Sequence, residues 1–295
     1  MPTVSVILPT CDRPHLWPRA LASLQAQTWI DFEILLVDSN RRTPPLRDDP
    51  HLSAALADPR VRLIEPAPRA TSSAAARNAG LRAARGEWVT FLDDDDVYRP
   101  RKLEAQLALA RATGAPFILC GFTVVLPPRR RTRQVDTQEF RGDALLTEAT
   151  WATPFLFLRR DPALRFDERL RAGEDEVFAH VALKHYNLSV VPNCAESLVE
   201  VHPQTGAPRV HADAEAAWWA ARVNCAQVAG RFSRAARREY IAMNLLHRAR
   251  GGHGGAGYFV RCAGGVLRLR GLRSWRLVLN AVSQRTGLFK RWVVS

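Results

Sequence analysis

Glu87-Trp88-Val89-Thr90-Phe91-Leu92-Asp93-Asp94-Asp95-Asp96-Val97 sets a short apolar run against four consecutive carboxylates. The run has the β-branched and aromatic content of a buried strand. A strand that ends in Asp-x-Asp delivers those side chains to the carboxyl edge of a sheet, where open α/β folds bind their ligands. Two unit charges ~4 Å apart repel by about 4 kcal/mol at an effective dielectric near 20. Something must offset that repulsion, and a divalent cation with oxygen ligands does so. The same residues also read as a solvated acidic loop, or as acids leading into a helix that starts near Pro100.

Upstream, Thr3 to Leu8 reads as a buried strand stopped by Pro9. The turn Pro9-Thr10-Cys11-Asp12-Arg13-Pro14 leads into a helix with Leu16, Ala20, Leu21 and Leu24 on one side. It carries neither a Gly-x-Gly-x-x-Gly fingerprint nor a Walker lysine. Glu33 to Val37 is a second strand ending in Asp38, a carboxylate placed to accept from a base or ribose, or to cap a turn with Ser39 and Asn40. Residues 41–59 read as a long loop or short helices, and Val61 to Glu65 as an edge strand. Thr71 to Ala84 is an Ala-rich helix with Ser/Thr N-cap candidates, ended by Gly86. Its Arg77 can reach a phosphate near the acidic loop or lie solvated. Strand and helix signals alternate, which argues for a parallel α/β sheet.

Downstream, Arg101 to Thr113 is an amphipathic helix ended by Gly114, and Phe117 to Cys120 a strand. Arg129-Arg130-Arg131-Thr132-Arg133 reads as an exposed hairpin tip, with phosphate contact as the sharper alternative. Thr150 to Leu158 fits a strand on the acceptor side of a site. Gly173-Glu174-Asp175-Glu176 opens a helix running to about His185; its acids serve catalysis or compensate the helix dipole. Leu198 to His202 is a short strand, and His202 is either a metal ligand or a structural histidine.

The chain has 295 residues, 47% hydrophobic and 24% charged, enough for a large core domain over 1–205 and an appendage over 206–295. Five scattered cysteines without a Cys-x-x-Cys pair suggest a reducing compartment and no zinc framework. With no leader-like start and no run of eighteen apolar residues, the expected location is cytoplasmic, either free or peripheral on the inner face of the cell membrane. Net charge is +13, and no acidic residue follows Glu239. Beyond Gly251 to Gly257, Leu272, Trp275, Leu279 and Val282 share a helical stripe flanked by arginines. That segment suits an anionic membrane surface, or packs on the domain. Nucleic acid is not an expected partner, because the four-Asp loop opposes it and interleaved stacking aromatics are missing.

Five pieces in order carry a resemblance: Pro9-Thr10-Cys11-Asp12-Arg13, Val37-Asp38, Ala76-Arg77-Asn78-x-Gly80, Phe91-Leu92-Asp93-x-Asp95-Asp96 and Gly173-Glu174-Asp175. Together they resemble the motif series of glycosyltransferase family 2, over roughly residues 3–205. The resemblance implies a GT-A fold, here a Rossmann-like, mostly parallel sheet with helices on both faces plus a C-terminal helical basic extension. It further implies a nucleotide-diphosphate sugar donor, inversion at the anomeric carbon, and Mg²⁺ or Mn²⁺. The acceptor would be a saccharide, a lipid-linked or a small molecule, in cell-envelope or polysaccharide biosynthesis. Residue by residue, Asp175 would be the general base and Glu174 would place the acceptor. Pro9, Thr10, Asp12, Arg13, Asp38, Arg77, Asn78, Asp93 and Asp94 would line the donor site, with Asp38 on the base and Asp93 on the ribose or a metal-bound water. Asp95 would ligate the metal, with His202 completing the site. The second strand ends Asp38-Ser39-Asn40 where the family often has Asp-Asp-Gly-Ser. Gln284 and Arg291-Trp292 are too far apart for the Gln-x-x-Arg-Trp motif of processive synthases, so a single sugar would be moved. The competing readings are a haloacid-dehalogenase-type phosphohydrolase with Asp93 as nucleophile, and a non-catalytic nucleotide-sugar-binding scaffold.

Overall fold

In a computed structural model, the structure describes residues 1–67, 70–170, 172–203, 230–237 and 239–240. The first compact unit comprises Met1–Arg141, Ala149–Arg169 and Glu174–Ala207. Its strands are β1 (Val4–Thr10), β2 (Phe32–Asp38), β3 (Val61–Ile64), β4 (Trp88–Phe91), β5 (Val97–Tyr98), β6 (Phe117–Leu126), β7 (Arg129–Arg133), β8 (Glu139–Arg141), β9 (Phe157–Arg159) and β10 (Val190–Val201). The helices used below are α1 (Trp17–Gln25), α2 (Leu52–Leu56), α3 (Ser73–Ala83), α4 (Lys102–Thr113), α5 (Ala144–Thr147) and α6 (Glu174–His185).

The sheet order is β3-β2-β1-β4-β9-β6-β10-β5, with β7 on β6 and β8 on β10. The β3-β2-β1-β4 half is parallel, as the alternating pattern predicts. β9 is antiparallel to both β4 and β6, and β5, β7 and β8 also pair antiparallel, so the sheet as a whole is mixed rather than mostly parallel. The chain leaves β1 toward β2 and returns past it to β4. The carboxyl ends of β1 and β4 are therefore a topological switch point, the place where such sheets bind ligands.

Helices cover both faces, as expected. Thr90 of β4 receives the Lys102 ammonium of α4 at 2.6 Å, while Phe91, next along the strand, meets Phe178 of α6. The Ser72 hydroxyl accepts the Ala75 N–H and starts α3. α3 lies so close to β1 that a Cβ at Gly80 would fall 2.5 Å from Ile7. Gly86 serves a similar approach, 2.6 Å from the Ser5 nitrogen, rather than ending the helix, which closes at Ala84. Gly114 does end α4, in the left-handed region at φ 66°.

Several boundaries differ from the sequence reading. Pro9 does not stop β1, which continues to Thr10 along β2. Thr10 O accepts from Ser39 on the β2 side and Ile7 O from Leu92 on the β4 side. Pro9 thus turns its missing N–H toward the β4 side, beyond the last pair Ile7–Phe91, where no ladder bond is lost. The arginine run is not a hairpin tip but the strand β7; Pro127-Pro128 make the turn. Only Phe157–Arg159 of the 150–158 stretch is a strand, and it lies mid-sheet between β4 and β6. β10 begins eight residues before Leu198 because it pairs with β6, β8 and β5 in turn.

The second unit comprises Gly142–Glu148, Leu170–Gly173 and Pro208–Ser295. Within it Ser233 donates its N–H at 2.9 Å and its hydroxyl at 2.6 Å to Asp143, at the start of α5. The glycine-rich break, the basic helix and its expected membrane contact all lie outside the described residues. Among the described residues, no helix is long and apolar enough to cross a membrane.

Candidate active site

The chain leaves β4 through the Leu92 N–H on Ile7 O and turns at once, the Asp96 N–H reaching Asp93 O at 3.1 Å. This tight turn divides the four acids. Asp93 and Asp95 remain partly open, with side-chain exposures of 29% and 20%, while Asp94 is wholly buried. Asp94, expected in the donor site, presents no accessible surface here. It anchors the turn, accepting the Thr10 hydroxyl at 2.8 Å and the Arg13 guanidinium. Burial pushes its carboxyl up to about 7 against the pull of Arg13 and Thr10. Asp96 is buried too and accepts the His202 N–H at 2.9 Å; burial and the charges of Asp93 and Asp95 raise it well above the carboxylate range. Arg13 also reaches Asp95 at 3.1 Å, and Arg19 of α1 donates to the Asp95 carbonyl. Burial and the Asp93 charge raise Asp95, with Arg13 opposing.

The β1 and β2 ends are locked to each other beside this turn. Asp12 takes a left-handed φ of 55°, a conformation aspartate tolerates better than most residues. Its Oδ1 accepts the N–H groups of Arg41, Arg42 and Thr43 at 2.7, 2.8 and 3.1 Å. Burial opposes ionisation there, but these donors win and hold the carboxyl far below its ordinary value. The Asp12 N–H donates to the Asn40 side chain at 2.7 Å, and the Asn40 N–H to Asp38 at 2.9 Å. The second oxygen of Asp38 takes the Leu46 N–H at 2.8 Å. Of its two sequence readings, the turn cap is the one the geometry displays, and Asp38 shapes the loop after β2.

The third part of the site comes from α3 and α6. Arg77, almost fully buried, donates to Asp93 Oδ1 at 2.6 Å and to Glu174 Oε1 at 3.1 Å. Burial disfavours its charge, yet Asp93 and Glu174 together hold it charged at any ordinary pH. Asn78, also expected at the donor site, turns its amide inward. Its amide is consumed by the Phe166 N–H at 2.8 Å, Phe166 O at 3.0 Å and Glu168 at 2.8 Å, which pin the segment leading to α6. α6 itself is fixed by aromatics: Phe178 stacks on Phe166 with centroids 4.0 Å apart, and both meet Phe91 edge-on. Asp175 sits half-buried in the first turn of α6, accepting the Glu176 N–H at 2.9 Å. Burial, then the charges of Glu174 and Glu176, push its carboxyl well above the carboxylate range.

The acids suit a hard cation in their chemistry. Asp93 Oδ2 meets only a long 3.4 Å contact from the Thr153 hydroxyl, and the side chain stays 29% exposed. No group of three His, Cys, Asp or Glu side chains stands ready to hold a metal among the described residues. Asp93, Asp95 and His202 therefore do not form a complete cage; His202 serves Asp96 through its backbone, and its imidazole lies 3.7 Å from Glu200. A cation held by Asp93 and Asp95 would need its remaining ligands from phosphate oxygens and water, the usual habit of Mg²⁺.

Sequence reasoning missed Arg19, Thr153 and the Phe91–Phe166–Phe178 cluster. Arg19 had one available signal, its place in the first turn of the helix that follows β1. The others converge from distant stretches with no motif of their own.

Residues 5–169, more than half of the chain, match the family model for Glycosyl transferase family 2. The chain belongs to that family. Among relatives of this family 2 chain is the succinoglycan biosynthesis protein ExoO of Rhizobium meliloti, 32% identical over an alignment of 200 residues that covers 62% of this chain and 56% of ExoO. The chain thus matches little more than half the length of that relative. The structure of S. aureus TarS 1-349 in complex with UDP-GlcNAc aligns with a TM-score of 0.65 at 17% identity, over 96% of this chain and 80% of TarS. Mannosyltransferase PcManGT from Pyrobaculum calidifontis, solved with GDP-Man and Mn²⁺, aligns with a TM-score of 0.51 at 17% identity, over 97% of this chain and 74% of that one. These likenesses establish the GT-A fold. The phosphohydrolase alternative puts its nucleophilic aspartate on the first strand of the domain, and Asp93 follows the fourth.

Proposed function

We propose that the chain is an inverting glycosyltransferase that moves one sugar from a nucleotide-diphosphate donor to an acceptor hydroxyl in cell-envelope or polysaccharide assembly. The observation that carries this reading is the Arg77 bridge. It ties Asp93, just past β4, to Glu174, which starts α6 and precedes Asp175. Family membership, the polysaccharide role in ExoO's name and the nucleotide sugars bound by TarS and PcManGT support it.

Each residue then has a physical task. Asp95, with Asp93 beside it, would hold Mg²⁺ or Mn²⁺, which when bound neutralises charge on the diphosphate. Arg13 and Arg77 bring fixed positive charge to the same edge, where a departing nucleoside diphosphate needs it. Asp12 and Asp38 hold the loops after β1 and β2 in the shape that would flank the base and ribose. Asp175 would take the acceptor proton, and a carboxyl raised toward neutrality is well matched to that work. Glu174, held by Arg77, would orient the acceptor rather than compete for the proton. One base without a second nucleophilic carboxylate gives direct displacement, hence inversion.

Asp175→Asn is the test. Thermal shift with a panel of nucleotide sugars and Mn²⁺ should show donor binding retained, and transfer should drop at least 10²-fold. Transfer at an unchanged rate removes the base assignment. Donor binding without turnover by the native chain on any acceptor returns the scaffold reading.

A further inference from the structure

The hairpin of β6 and β7 has no part in the site just described, yet it sets an apolar turn beside a run of arginines. Its turn exposes Leu126, Pro127 and Pro128, and every residue of β7 from Arg129 to Arg133 is exposed. The strand pairs only with β6, so its other edge is free among the described strands. Side chains alternate along a strand. Thr132 meets Thr123 and Arg130 meets Glu200 at one face, which places Arg129, Arg131 and Arg133 together on the other. None of these three meets a carboxylate among the described residues, whereas Arg130 and Arg99 both hold Glu200.

The hairpin also has a direction. β4 and β6 are each antiparallel to β9, so they run the same way and end at the same edge of the sheet. Thr90 and Ile118 are level across β9, both opposite Phe157. The acidic turn follows Thr90 within three residues, while β6 runs on to Leu126 and carries the hairpin out past that turn. Glu200 braces the hairpin through Arg130, and two residues on, His202 holds Asp96.

From this we propose that the β6–β7 hairpin seats the enzyme on an anionic lipid surface, with Leu126-Pro127-Pro128 entering the headgroup layer and Arg129, Arg131 and Arg133 on the phosphates. A soluble polyanion would use the three arginines but gains nothing from an apolar tip beside them. A bilayer uses both, since apolar burial and headgroup attraction add. Charges on an edge strand also deter pairing with another copy; that role alone would leave membranes unaffected. Seating at this edge presents the cleft to acceptors carried at the membrane surface.

The full chain is sedimented with vesicles of phosphatidylcholine alone, and of phosphatidylcholine with phosphatidylglycerol, at low salt. Binding only to the anionic vesicles is expected. R129S/R131S/R133S should lower that partitioning about fivefold per arginine, on the order of 100-fold in all, with the melting temperature unchanged. L126N should weaken vesicle binding several-fold while leaving binding to soluble polyphosphate untouched. If the triple variant destabilises the protein, the single variants R129S, R131S and R133S supply the same reading, each lowering partitioning about fivefold. Equal binding to neutral vesicles, a triple variant that partitions like the native chain, or an L126N loss on polyphosphate equal to that on vesicles each overturns the proposal. Self-association of the triple variant with vesicle binding intact would assign the arginines to edge protection instead. None of these readouts requires turnover, so they stand apart from the test of the transfer reaction.

Discussion

Phe178 lies flat on Phe166, planes 7° from parallel and centroids 4.0 Å apart, and this contact sets how far α6 stands from the acidic turn. Phe166 is held by Asn78 through its backbone, and Phe91, two residues before Asp93, meets both rings edge-on. Asp175 is one helical turn before Phe178, so its position follows from apolar packing at its back. The same Phe166 ring lies under the Arg77 guanidinium at 5.6 Å. One aromatic cluster thus sustains both halves of the charged bridge.

Phe178→Ala should cost about 3–5 kcal/mol of stability, the usual cost of emptying a buried aromatic site. Transfer should fall further than the loss of folded protein explains, because the first turn of α6 would shift against the turn after β4. Chemical denaturation and kcat measured on folded protein separate the two effects. A kcat equal to that of the native chain would show that the cluster does not position Asp175.

Arg77→Met removes a charge that two carboxylates share. Breaking a buried ion pair from one side costs about 3–5 kcal/mol, so this variant should be markedly destabilised. Adding Glu174→Gln should restore part of the loss, because one stranded carboxylate is then neutral. A double-variant cycle with no coupling energy would mean that the 3.1 Å contact to Glu174 contributes nothing.

The pH dependence of transfer tests the role of Asp175 by its sign. A general base works unprotonated, and this carboxyl is raised by burial and by Glu174 and Glu176. The rate should therefore decline as pH falls through a value well above the ordinary carboxylate range, while donor binding declines elsewhere. An acid limb at the pKa of a free carboxylate would contradict the raised environment.

Lys102 is fully buried, with its ammonium on the Thr90 hydroxyl and 4.0 Å from the Tyr98 ring centre. Burial lowers its pKa to about 7, below the unfolded value near 10.4. Between those values the unfolded chain binds the extra proton, so this group adds stability as pH rises from about 7. The buried thiols of Cys120 and Cys194, both raised to about 12, act in the opposite sense once pH passes the free-thiol value. The clean window is thus about pH 7 to 8.5, where native minus Lys102→Met stability should increase by about 2 kcal/mol. A flat difference in urea denaturation across that window would show that Lys102 keeps its ordinary pKa.

Much of this molecule was legible in the sequence. The runs at Val4, Glu33 and Trp88 become the parallel half of the sheet, the Ala-rich helix and the Gly114 stop fall where composition places them, and Arg77 meets both Asp93 and Glu174. These features rest on local causes: hydrophobic period, caps, and the carboxylates that follow a strand. What the chain could not disclose was how neighbouring residues divide their work. Asp94 and Asp96 look identical to Asp93 and Asp95 as letters, yet alternation about a tight turn buries one pair and opens the other. Asn78 stands beside Arg77 in the motif, but helix geometry turns it toward Phe166 and Glu168 rather than toward Asp93. The antiparallel insertion of β9, the length of β10 and the free arginine face of β7 depend on pairing between stretches far apart in the chain. Local sequence determines which residues carry charge and which form strands; only long-range packing decides which charges meet, because burial and partner are properties of the assembled core.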